Sequence, residues 1–222
     1  MTDKAAILAA APLFREADAA TIAKLARAAR EIAREEGETI WDADAPALDA
    51  VLIVRGLVEI ARNDATLALF GPRELIGLPA ALEGGAYPAA AIAVAAEVRA
   101  IAVPAVELRA AVDRDHALAR AANRALIDHG KVLRAKIAIL TAGSIEQRLA
   151  ALFEHLAERF GDEVGGELRI PLTLTRRMIA QLVGARVETV IRALAAWRRA
   201  GLADAGVDIV IRDRAALRHL LA

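Results

Sequence analysis

Arginine is concentrated in one short stretch of a chain that carries no net charge. The sequence has 222 residues with 29 basic and 29 acidic side chains, yet residues 169–199 contain seven arginines and one acid, Glu188. That stretch carries +6 (seven minus one), and the rest of the chain −6. Guanidinium groups pair with phosphate oxygens through two parallel N–H bonds, so the segregation predicts a surface for a polyanion. A solvated helix face is the alternative that charge alone leaves open. The seven are Arg169, Arg176, Arg177, Arg186, Arg192, Arg198 and Arg199.

The helix predicted for residues 187–200 has two unlike sides at 100° per residue. One side is apolar and must face the core, whereas the other combines an acid, an arginine and two β-branched apolar groups. Glutamate can accept from cytosine N4, arginine can donate to guanine O6 and N7, and apolar groups can touch the thymine methyl. Packing of the two apolar groups against another helix is the alternative. The core side holds Val190, Ala193, Leu194 and Trp197, and the other side Val187, Glu188, Ile191 and Arg192.

The segments around that helix carry the signals of a helix-turn-helix. Thr175 can cap a first helix, Gly184 can end it, and Gly201 can close the second. Two helices joined by a short turn with glycine place the second in the major groove of double-stranded DNA. Residues 202–211 then predict a hairpin, a candidate wing, and residues 212–221 a final short helix. The predicted DNA contacts are Thr175, Arg176, Arg177, Arg186, Val187, Glu188, Thr189, Ile191 and Arg192, with Arg176 and Arg177 on phosphates.

A long helix is expected before the helix-turn-helix, because residues 113–140 contain one glycine and no proline. Two lines of residues on it repeat every seven positions, which favours two helices packed side by side in a homodimer. A single helix lying on its own domain is the alternative. Ser144 and Gln147 form a capping box for the next helix, so we expect a hinge and domain boundary at residues 141–144. The two lines are Leu126, Leu133 and Leu140, and Ala122, His129 and Lys136.

The N-terminal half changes character along its length. Residues 5–35 have apolar spacing typical of helices, and short β-prone runs follow, separated by glycine and proline. Many short strands with turn signals predict a small barrel or roll. The runs are Thr39–Trp41, Val51–Val54, Leu57–Ile60, Leu67–Phe70, Ala91–Val94 and Val98–Val103. Later in the chain, residues 161–166 predict a polar turn and residues 167–171 a short strand.

Several classes of function are disfavoured. The chain has no cysteine, which excludes disulfides, thiolate-bound zinc, cysteine-ligated iron–sulfur clusters and a cysteine nucleophile. Common hydrolase, zinc-protease, phosphate-loop and dinucleotide motifs are absent, so we predict no catalytic residue and no metal site, and disfavour an enzyme. The N-terminus does not resemble a signal peptide, and no run of about 18 apolar residues suggests a membrane span. We expect a cytoplasmic protein without a membrane partner.

The chain resembles the CRP/FNR superfamily of bacterial transcription regulators nearly from end to end. The β-roll patterns aGEtif and lyivlsGxvei correspond to residues 36–41 and 51–60, and the pattern ipLTxxxiAxxlGxxxETvsRxLxxlxxxGLi aligns with residues 170–202 without a gap. The resemblance implies an α+β chain. A β-roll sensor (a cyclic-nucleotide-binding-like jelly roll) with N-terminal helices would span residues 1–112, a dimerisation helix 113–140, and a winged helix-turn-helix 141–222. It also implies a homodimer on a near-palindromic site, and RNA polymerase as a partner if it activates transcription.

Within the helix-turn-helix, the sequence is more similar to the FNR branch than to the CRP branch. Val187, Glu188 and Thr189 precede Arg192, whereas CRP-branch members have arginine at the position of Val187. The resemblance therefore implies a half-site with a TGA-like core. Ile191 stands where both branches usually have a small residue, which leaves the outer bases of the half-site open.

The sensor departs from cyclic-nucleotide-binding members of the family. Those members hold the ribose with the glutamate of a GE pair and the phosphate with the arginine of an RS pair. Here the corresponding positions are Gly77-Leu78 and residues 86–89, which include neither an acid nor an arginine. We predict that cAMP is not bound. The absence of cysteine likewise predicts that no iron–sulfur cluster is present.

An apolar lining replaces the nucleotide contacts. A small apolar or gaseous effector could occupy such a pocket, or the pocket could be collapsed. Haem is a further option, and it needs an axial ligand, for which His129 is the candidate; a polar residue at the dimer seam is the alternative for that histidine. The predicted pocket residues are Gly77, Leu78, Leu82, Tyr87, Ala89 and His129.

The competing hypothesis is a ligand-binding regulatory module. Its β-roll would be degenerate, and it would bind DNA constitutively or not at all. The identity of the effector stays open in both cases.

Overall fold

A computed structural model describes residues 3–63 and 65–221 of the chain. The chain forms two compact units, residues 1–131 and 132–222. The first unit runs through α1 (Lys4–Ala10), α2 (Ala19–Ala28), β1 (Arg30–Glu35), β2 (Thr39–Trp41), β3 (Asp49–Arg55), β4 (Val58–Arg62), β5 (Ala65–Phe70), β6 (Leu75–Ile76), α3 (Leu78–Glu83), β7 (Ala90–Ala93), β8 (Glu97–Pro104), α4 (Ala105–Arg114) and the start of α5 (His116–Thr141).

The strands of the first unit form two four-stranded antiparallel sheets. Their orders are β1-β8-β3-β6 and β2-β7-β4-β5. The main core lies between the first sheet and the helices, where apolar side chains of α1, α2, α4 and α5 meet those of β3 and β8. The predicted mixed helix-and-sheet fold with an N-terminal roll is confirmed. Among its largest buried side chains are Leu8, Phe14, Leu25, Leu52, Ile101, Leu108 and Leu118.

The predicted helical stretch of residues 5–35 is wrong at its C-terminal end, residues 30–35. Helix α2 ends at Ala28, and residues 30–35 form strand β1. All six residues of β1 pair with β8, from Arg30 opposite Ala102 to Glu35 opposite Glu97. Alanine, arginine and glutamate favour helices locally, but this pairing to a strand about 60 residues away overrides that preference. The two-residue strand β6 is too short to give a sequence pattern.

The long helix begins later than predicted. Helix α4 ends at Arg114, and the Asp115 carboxylate accepts hydrogen bonds from the backbone N–H groups of Ala117 and Leu118, at 2.9 and 3.0 Å. This is the geometry of an N-terminal cap. Aspartate therefore separates α4 from α5 within the stretch predicted as one helix.

One of the two predicted seven-residue lines on α5 does not face outward. Ala122 is buried in the core of the first unit, and His129 lies against Phe70 of the same unit. Lys136 donates to the carbonyl oxygens of Gln181 and Leu182 in the second unit. In this chain the three residues of that line contact other parts of the same polypeptide. On the line of Leu126, Leu133 and Leu140, the last two are exposed, whereas Leu126 packs against the core of the first unit. Ile137, between them on the helix, is also exposed.

The second unit contains the end of α5 and a small α+β domain. A four-stranded antiparallel sheet has the order β11-β12-β10-β9. Residues 162–164, predicted as part of a polar turn, form the exposed strand β9, whose hydrophilic sequence lacks apolar alternation. The capping box of Ser144 and Gln147 is confirmed. The elements are α6 (Ile145–Phe160), β9 (Asp162–Val164), β10 (Glu167–Ile170), α7 (Arg176–Val183), α8 (Val187–Arg199), β11 (Ala203–Ala205), β12 (Ile209–Ile211) and α9 (Arg214–His219).

Candidate nucleic-acid interface

Helix α7 begins and ends where the sequence predicts. The Thr175 hydroxyl accepts a hydrogen bond from the backbone N–H of Met178 at 3.1 Å, which caps the first turn. Gly184 ends the helix in the left-handed conformation, at φ +62°. A Cβ atom at this position would lie 2.9 Å from Cδ2 of Leu140. The left-handed backbone angle favours glycine at this turn, and a larger residue would also push against the end of the Leu140 side chain.

Helix α8 is anchored by its apolar side. The side chains of that side, predicted to face the core, are all buried. The Trp197 ring meets Phe153 of α6 edge to face, with ring centroids 5.6 Å apart and planes at 83°. The back of α8 is thus fixed to the domain. The buried residues are Val190, Ala193, Leu194 and Trp197.

The opposite side of α8 is open to solvent. Glu188 and Arg192 are exposed, and Ile191 is 47% exposed although it is a large apolar residue. Val187 and Thr189 are half-buried. The predicted division of this helix into two sides is confirmed by these exposures. The exposed side thus offers a carboxylate, a guanidinium and an apolar group together, the groups that can contact base edges.

The arginines differ in what they contact. Arg176 donates to the backbone carbonyl of Ala205 at 2.6 Å, and Arg169 pairs with Asp208 at 3.7 Å. Five others are exposed, and none of the ion pairs found in residues 3–63 and 65–221 involves them. These cations remain available to an anionic partner on the side of α7 and α8. They are Arg177, Arg186, Arg192, Arg198 and Arg199.

The predicted hairpin after α8 is present as β11 and β12. Its tip is held by the Thr173 hydroxyl, which donates to the carbonyl oxygen of Val207 at 2.8 Å. The charged side chains on this hairpin are the acids Asp204 and Asp208. The hairpin therefore contributes little to the positive charge of the surface, which comes from the two helices.

The predicted effector residues Gly77, Tyr87 and Ala89 lie together with an aromatic partner that sequence analysis missed. Trp41 stacks on Tyr87, with ring centroids 4.1 Å apart and planes at 12°, and its indole N–H donates to the carbonyl oxygen of Ala89 at 2.9 Å. A Cβ atom at Gly77, where φ is +73°, would lie 3.0 Å from the Tyr87 ring and 3.2 Å from Trp41. The aromatic pair therefore fills the space beside Gly77.

A polar network holds that aromatic pair in place. The Tyr87 hydroxyl donates to the carbonyl oxygen of Asp49 at 2.7 Å and accepts from its N–H at 3.1 Å. The Asp49 carboxylate is buried and pairs with two nitrogens of Arg30, each at 2.6 Å. Burial raises the pKa of the Tyr87 phenol, so this group stays protonated as the hydrogen-bond donor.

The other predicted effector residues are placed differently. Leu78, at the position of the family's ribose-binding acid, is fully buried in the main core, where Leu82 also packs. His129 stacks on Phe70, with ring centroids 5.6 Å apart. The six predicted residues thus occupy three environments. Trp41 and Phe70 could have been suspected from their aromatic character alone, but no local pattern links them to residues 46 and 59 positions away.

The two ring nitrogens of His129 have different surroundings. Its Nδ1 lies 3.0 Å from the carbonyl oxygen of Ala125. Because a carbonyl can only accept, Nδ1 is the donor. Nε2 is buried and makes no hydrogen bond within the described residues. In the neutral ring this nitrogen presents a lone pair.

Membrane-spanning helices and metal sites would point to other classes of function. Residues 3–63 and 65–221 contain no helix that is both long and apolar enough to span a membrane. The same residues show no grouping of three or more histidine, aspartate or glutamate side chains arranged to bind a metal ion.

Comparison with known proteins places a sensor-type domain before a helix-turn-helix domain, in the order seen in the structure. Residues 32–115 match the cyclic nucleotide-binding domain family, and residues 147–220 match the Crp-like helix-turn-helix domain family. The chain is 29% identical over 213 residues to a CRP-like cAMP-activated global transcriptional regulator of Mycobacterium tuberculosis, covering 93% of this chain and 95% of the relative.

Solved structures support the same assignment. FixK2 from Bradyrhizobium japonicum has a TM-score of 0.77 at 25% identity, covering 87% of this chain and 98% of that one. A CRP-family transcriptional regulator from Thermus thermophilus has a TM-score of 0.67 at 25% identity, covering 86% and 96%. The chain therefore belongs to the CRP/FNR superfamily of DNA-binding transcription regulators.

Proposed function

We propose that this regulator binds DNA as a homodimer, reads a near-palindromic site whose half-sites have a TGA-like core, and responds to an effector other than cAMP. The observation that carries the proposal is the exposed face of α8, where Glu188, Ile191 and Arg192 stand on a helix whose back is fixed to the domain. The five free arginines around that face supply the sequence-independent attraction to phosphates.

The base contacts follow from the chemistry of that face. Arg192 would donate to guanine O6 and N7, Glu188 would accept from cytosine N4, and Val187 and Ile191 would touch thymine methyl groups. Arg177 and Arg186 at the starts of the two helices would contact phosphates. Thr175 and Thr189 would also contact DNA from the same side. Arg176 would contact a phosphate through the guanidinium nitrogens that do not bind the carbonyl oxygen of Ala205.

The homodimer would form along α5. Residues 133, 137 and 140 follow the alternating spacing of four and three that joins helices in a coiled coil, while Leu126, one heptad earlier, packs partly against the core of its own chain. Leu133 is 55% and Ile137 61% exposed, which makes this line the apolar face available to a second copy. Two recognition helices must then lie about 34 Å apart, one turn of DNA, to enter successive major grooves.

The sensor would not take cAMP, although the M. tuberculosis relative is named as cAMP-activated. Leu78 stands where an acid would bind the ribose, and it points into the core. The Trp41–Tyr87 pair occupies the space next to Gly77. These features disfavour a nucleotide at that position. We propose a small apolar or gaseous effector, and one that contacts the Nε2 lone pair of His129 would lie beside Phe70 rather than beside the Trp41–Tyr87 pair.

Haem is the specific candidate that His129 supports as the group that binds a gaseous effector. The unpartnered Nε2 and the anchored Nδ1 fit an axial ligand, since ligating histidines donate their other N–H to a carbonyl or carboxylate. A Soret band in protein as purified, lost in His129→Ala, would support haem. An unchanged band in that variant, or no band in either protein, would exclude this role.

Selection from random double-stranded DNA tests the proposal as a whole. The account predicts enrichment of an inverted repeat with half-sites about one helical turn apart. The alternative, a regulatory module that does not read sequence, would be favoured if the selected DNA contained no inverted repeat and bound the protein no more tightly than random DNA does. A regulator that reads DNA as proposed would act in the cytoplasm, and RNA polymerase would be its partner if it activates transcription.

A further inference from the structure

The exposed side of α8 extends about two turns beyond its proposed base contacts and ends in two arginines, Arg198 and Arg199. At 100° per residue, side chains at positions i, i+4 and i+11 of a helix point within about 40° of one another. Both terminal arginines are exposed, and each lies on a line that begins with groups proposed to read bases. The two lines are Glu188, Arg192 and Arg199, and Val187, Ile191 and Arg198.

Neither of these two cations is neutralised by an acid on its own helix. An acid three or four residues away can pair with an exposed arginine, but positions 194–196 hold one leucine and two alanines. The single acid of α8 is Glu188, ten residues before Arg198. The ion pairs formed within residues 3–63 and 65–221 include neither Arg198 nor Arg199. Both charges are therefore available to a partner.

Helix α8 is longer than the major groove of DNA is wide. Its 13 residues, Val187–Arg199, rise by about 18 Å, whereas the groove is about 12 Å wide. If the first two turns contact bases, the last turn must lie at the edge of the groove, where phosphates line the duplex. Guanidinium groups pair with phosphate oxygens through two parallel N–H bonds, so arginine is well suited to this position.

The short side chains around the two arginines leave room for a DNA backbone. On the surface of α8, Ala195 is half-buried and Ala196 is exposed, and Ala200 is exposed directly after the helix. A strand lying along this surface can approach the helix closely, because these alanines project little beyond it.

The hairpin of β11 and β12 does not offer an equivalent cation. Its charged side chains are Asp204 and Asp208, and Asp208 is paired with Arg169 of β10 at 3.7 Å. The hairpin lies beside the start of α7, where Arg176 donates to the carbonyl oxygen of Ala205 at 2.6 Å. Its carboxylates disfavour the approach of phosphates on that side, which leaves the end of α8 as the better place for a further contact with the backbone.

We propose that Arg198 and Arg199 form a second phosphate-binding site, separate from that of Arg177 and Arg186, which holds the DNA backbone where α8 leaves the major groove. The inference rests on the proposed function, because it adds a contact at the far end of the same helix. Phosphate contacts fix the register of a protein on the duplex. With cations at both ends, α8 is held along its own axis, which sets how far its base-reading residues enter the groove.

The salt dependence of DNA binding tests the site. Each phosphate that a protein neutralises contributes about −0.9 to the slope of log Kobs against log salt concentration. Arg198→Gln and Arg199→Gln remove the charge but keep a polar side chain. Because a homodimer places each replacement in both half-sites, we expect each variant to reduce the steepness of the slope by about 1.8. The effect should be equal on the selected site and on random DNA.

Matched variants separate a phosphate contact from other effects of charge. Arg120→Gln removes an exposed arginine of the first unit and should leave the slope unchanged. Arg199→Lys keeps a cation and should retain the slope of the parent protein. Arginine in the last turn also stabilises the negative end of a helix. If Arg199→Gln lowers the temperature of unfolding but keeps the parent slope, this structural role is the correct one and the proposal is wrong.

Neutral methylphosphonate groups, placed at one phosphate of the selected site at a time, locate the contact. The parent protein should lose affinity at each phosphate that it contacts. The double variant of Arg198→Gln and Arg199→Gln should become insensitive at some of these phosphates, and Arg177→Gln at different ones. Loss of sensitivity at the same phosphates in both proteins, or at none in the double variant, overturns the second site.

The parent protein distinguishes failure of this inference from failure of the proposed function. A parent that binds and reads the selected site, together with a double variant that keeps the parent slope, contradicts only the role of Arg198 and Arg199. A parent that binds neither selected nor random DNA contradicts both.

Discussion

The rings of Phe153 and Trp197 meet edge to face, 5.6 Å between centroids, and thereby join α6 to the back of the helix that would enter DNA. Trp197→Ala removes this contact and leaves a cavity, and we expect a loss of about 3–5 kcal/mol in the free energy of unfolding. Urea denaturation followed by circular dichroism measures it.

Ile191→Ala is the matched control on the same helix. Because Ile191 is exposed, its replacement should change stability by less than about 0.5 kcal/mol while weakening binding to the selected site. A large loss of stability in Ile191→Ala would mean that this side chain is packed in the native protein, contrary to the account.

The stability of the second unit should fall in mildly acidic solution because of His155. Burial lowers the pKa of His155 to about 4, and the charge of Arg159 adds to this effect, whereas an unfolded histidine titrates near 6.5. The unfolded chain therefore binds more protons between these values, so stability that is fully present above about pH 6.5 is lost as the pH falls toward 4.

His155→Gln isolates that contribution. Glutamine can still accept from Arg159 but does not titrate, so the variant should lose about 1–2 kcal/mol less than the parent between pH 7 and pH 5. Thermal unfolding at the two pH values provides the comparison. Equal losses in the two proteins would assign the acid sensitivity to other groups.

Calorimetric titration with cAMP should show no saturable site at low micromolar concentration. Leu78 cannot bind a ribose hydroxyl, and residues 86–89 provide no arginine for the phosphate. The M. tuberculosis relative named as cAMP-activated serves as the positive control under the same conditions. A saturable heat signal with a low-micromolar Kd would refute this prediction.

The structure shows which parts of this fold are set locally. The two sides of α8 and the caps at Thr175 and Ser144 depend on residues within one or two turns, so helical spacing and capping rules predict them. Strand β1 is not set locally, because its partner strand lies about 60 residues away and its own composition favours a helix.

The sensor was harder to predict for the same reason. The Trp41–Tyr87 stack joins residues 46 positions apart, and no periodic pattern connects them. On α5, the line of Ala122, His129 and Lys136 repeats every seven residues as a dimer seam would, yet its neighbours are other parts of the same chain. Spacing identifies a face of a helix but does not identify what covers it.

The central claim, that the outer face of α8 reads base pairs, is tested most directly by pairing one side-chain change with single base changes. For Arg192→Ala, the account predicts a loss of about 1–3 kcal/mol on the selected site and little change on random DNA. The variant should also become indifferent to replacement of the one guanine that Arg192 contacts, while Arg177→Ala should weaken all sequences alike. If Arg192→Ala weakens every sequence equally and still discriminates at each base pair, Arg192 contacts only phosphate and the proposed readout is wrong.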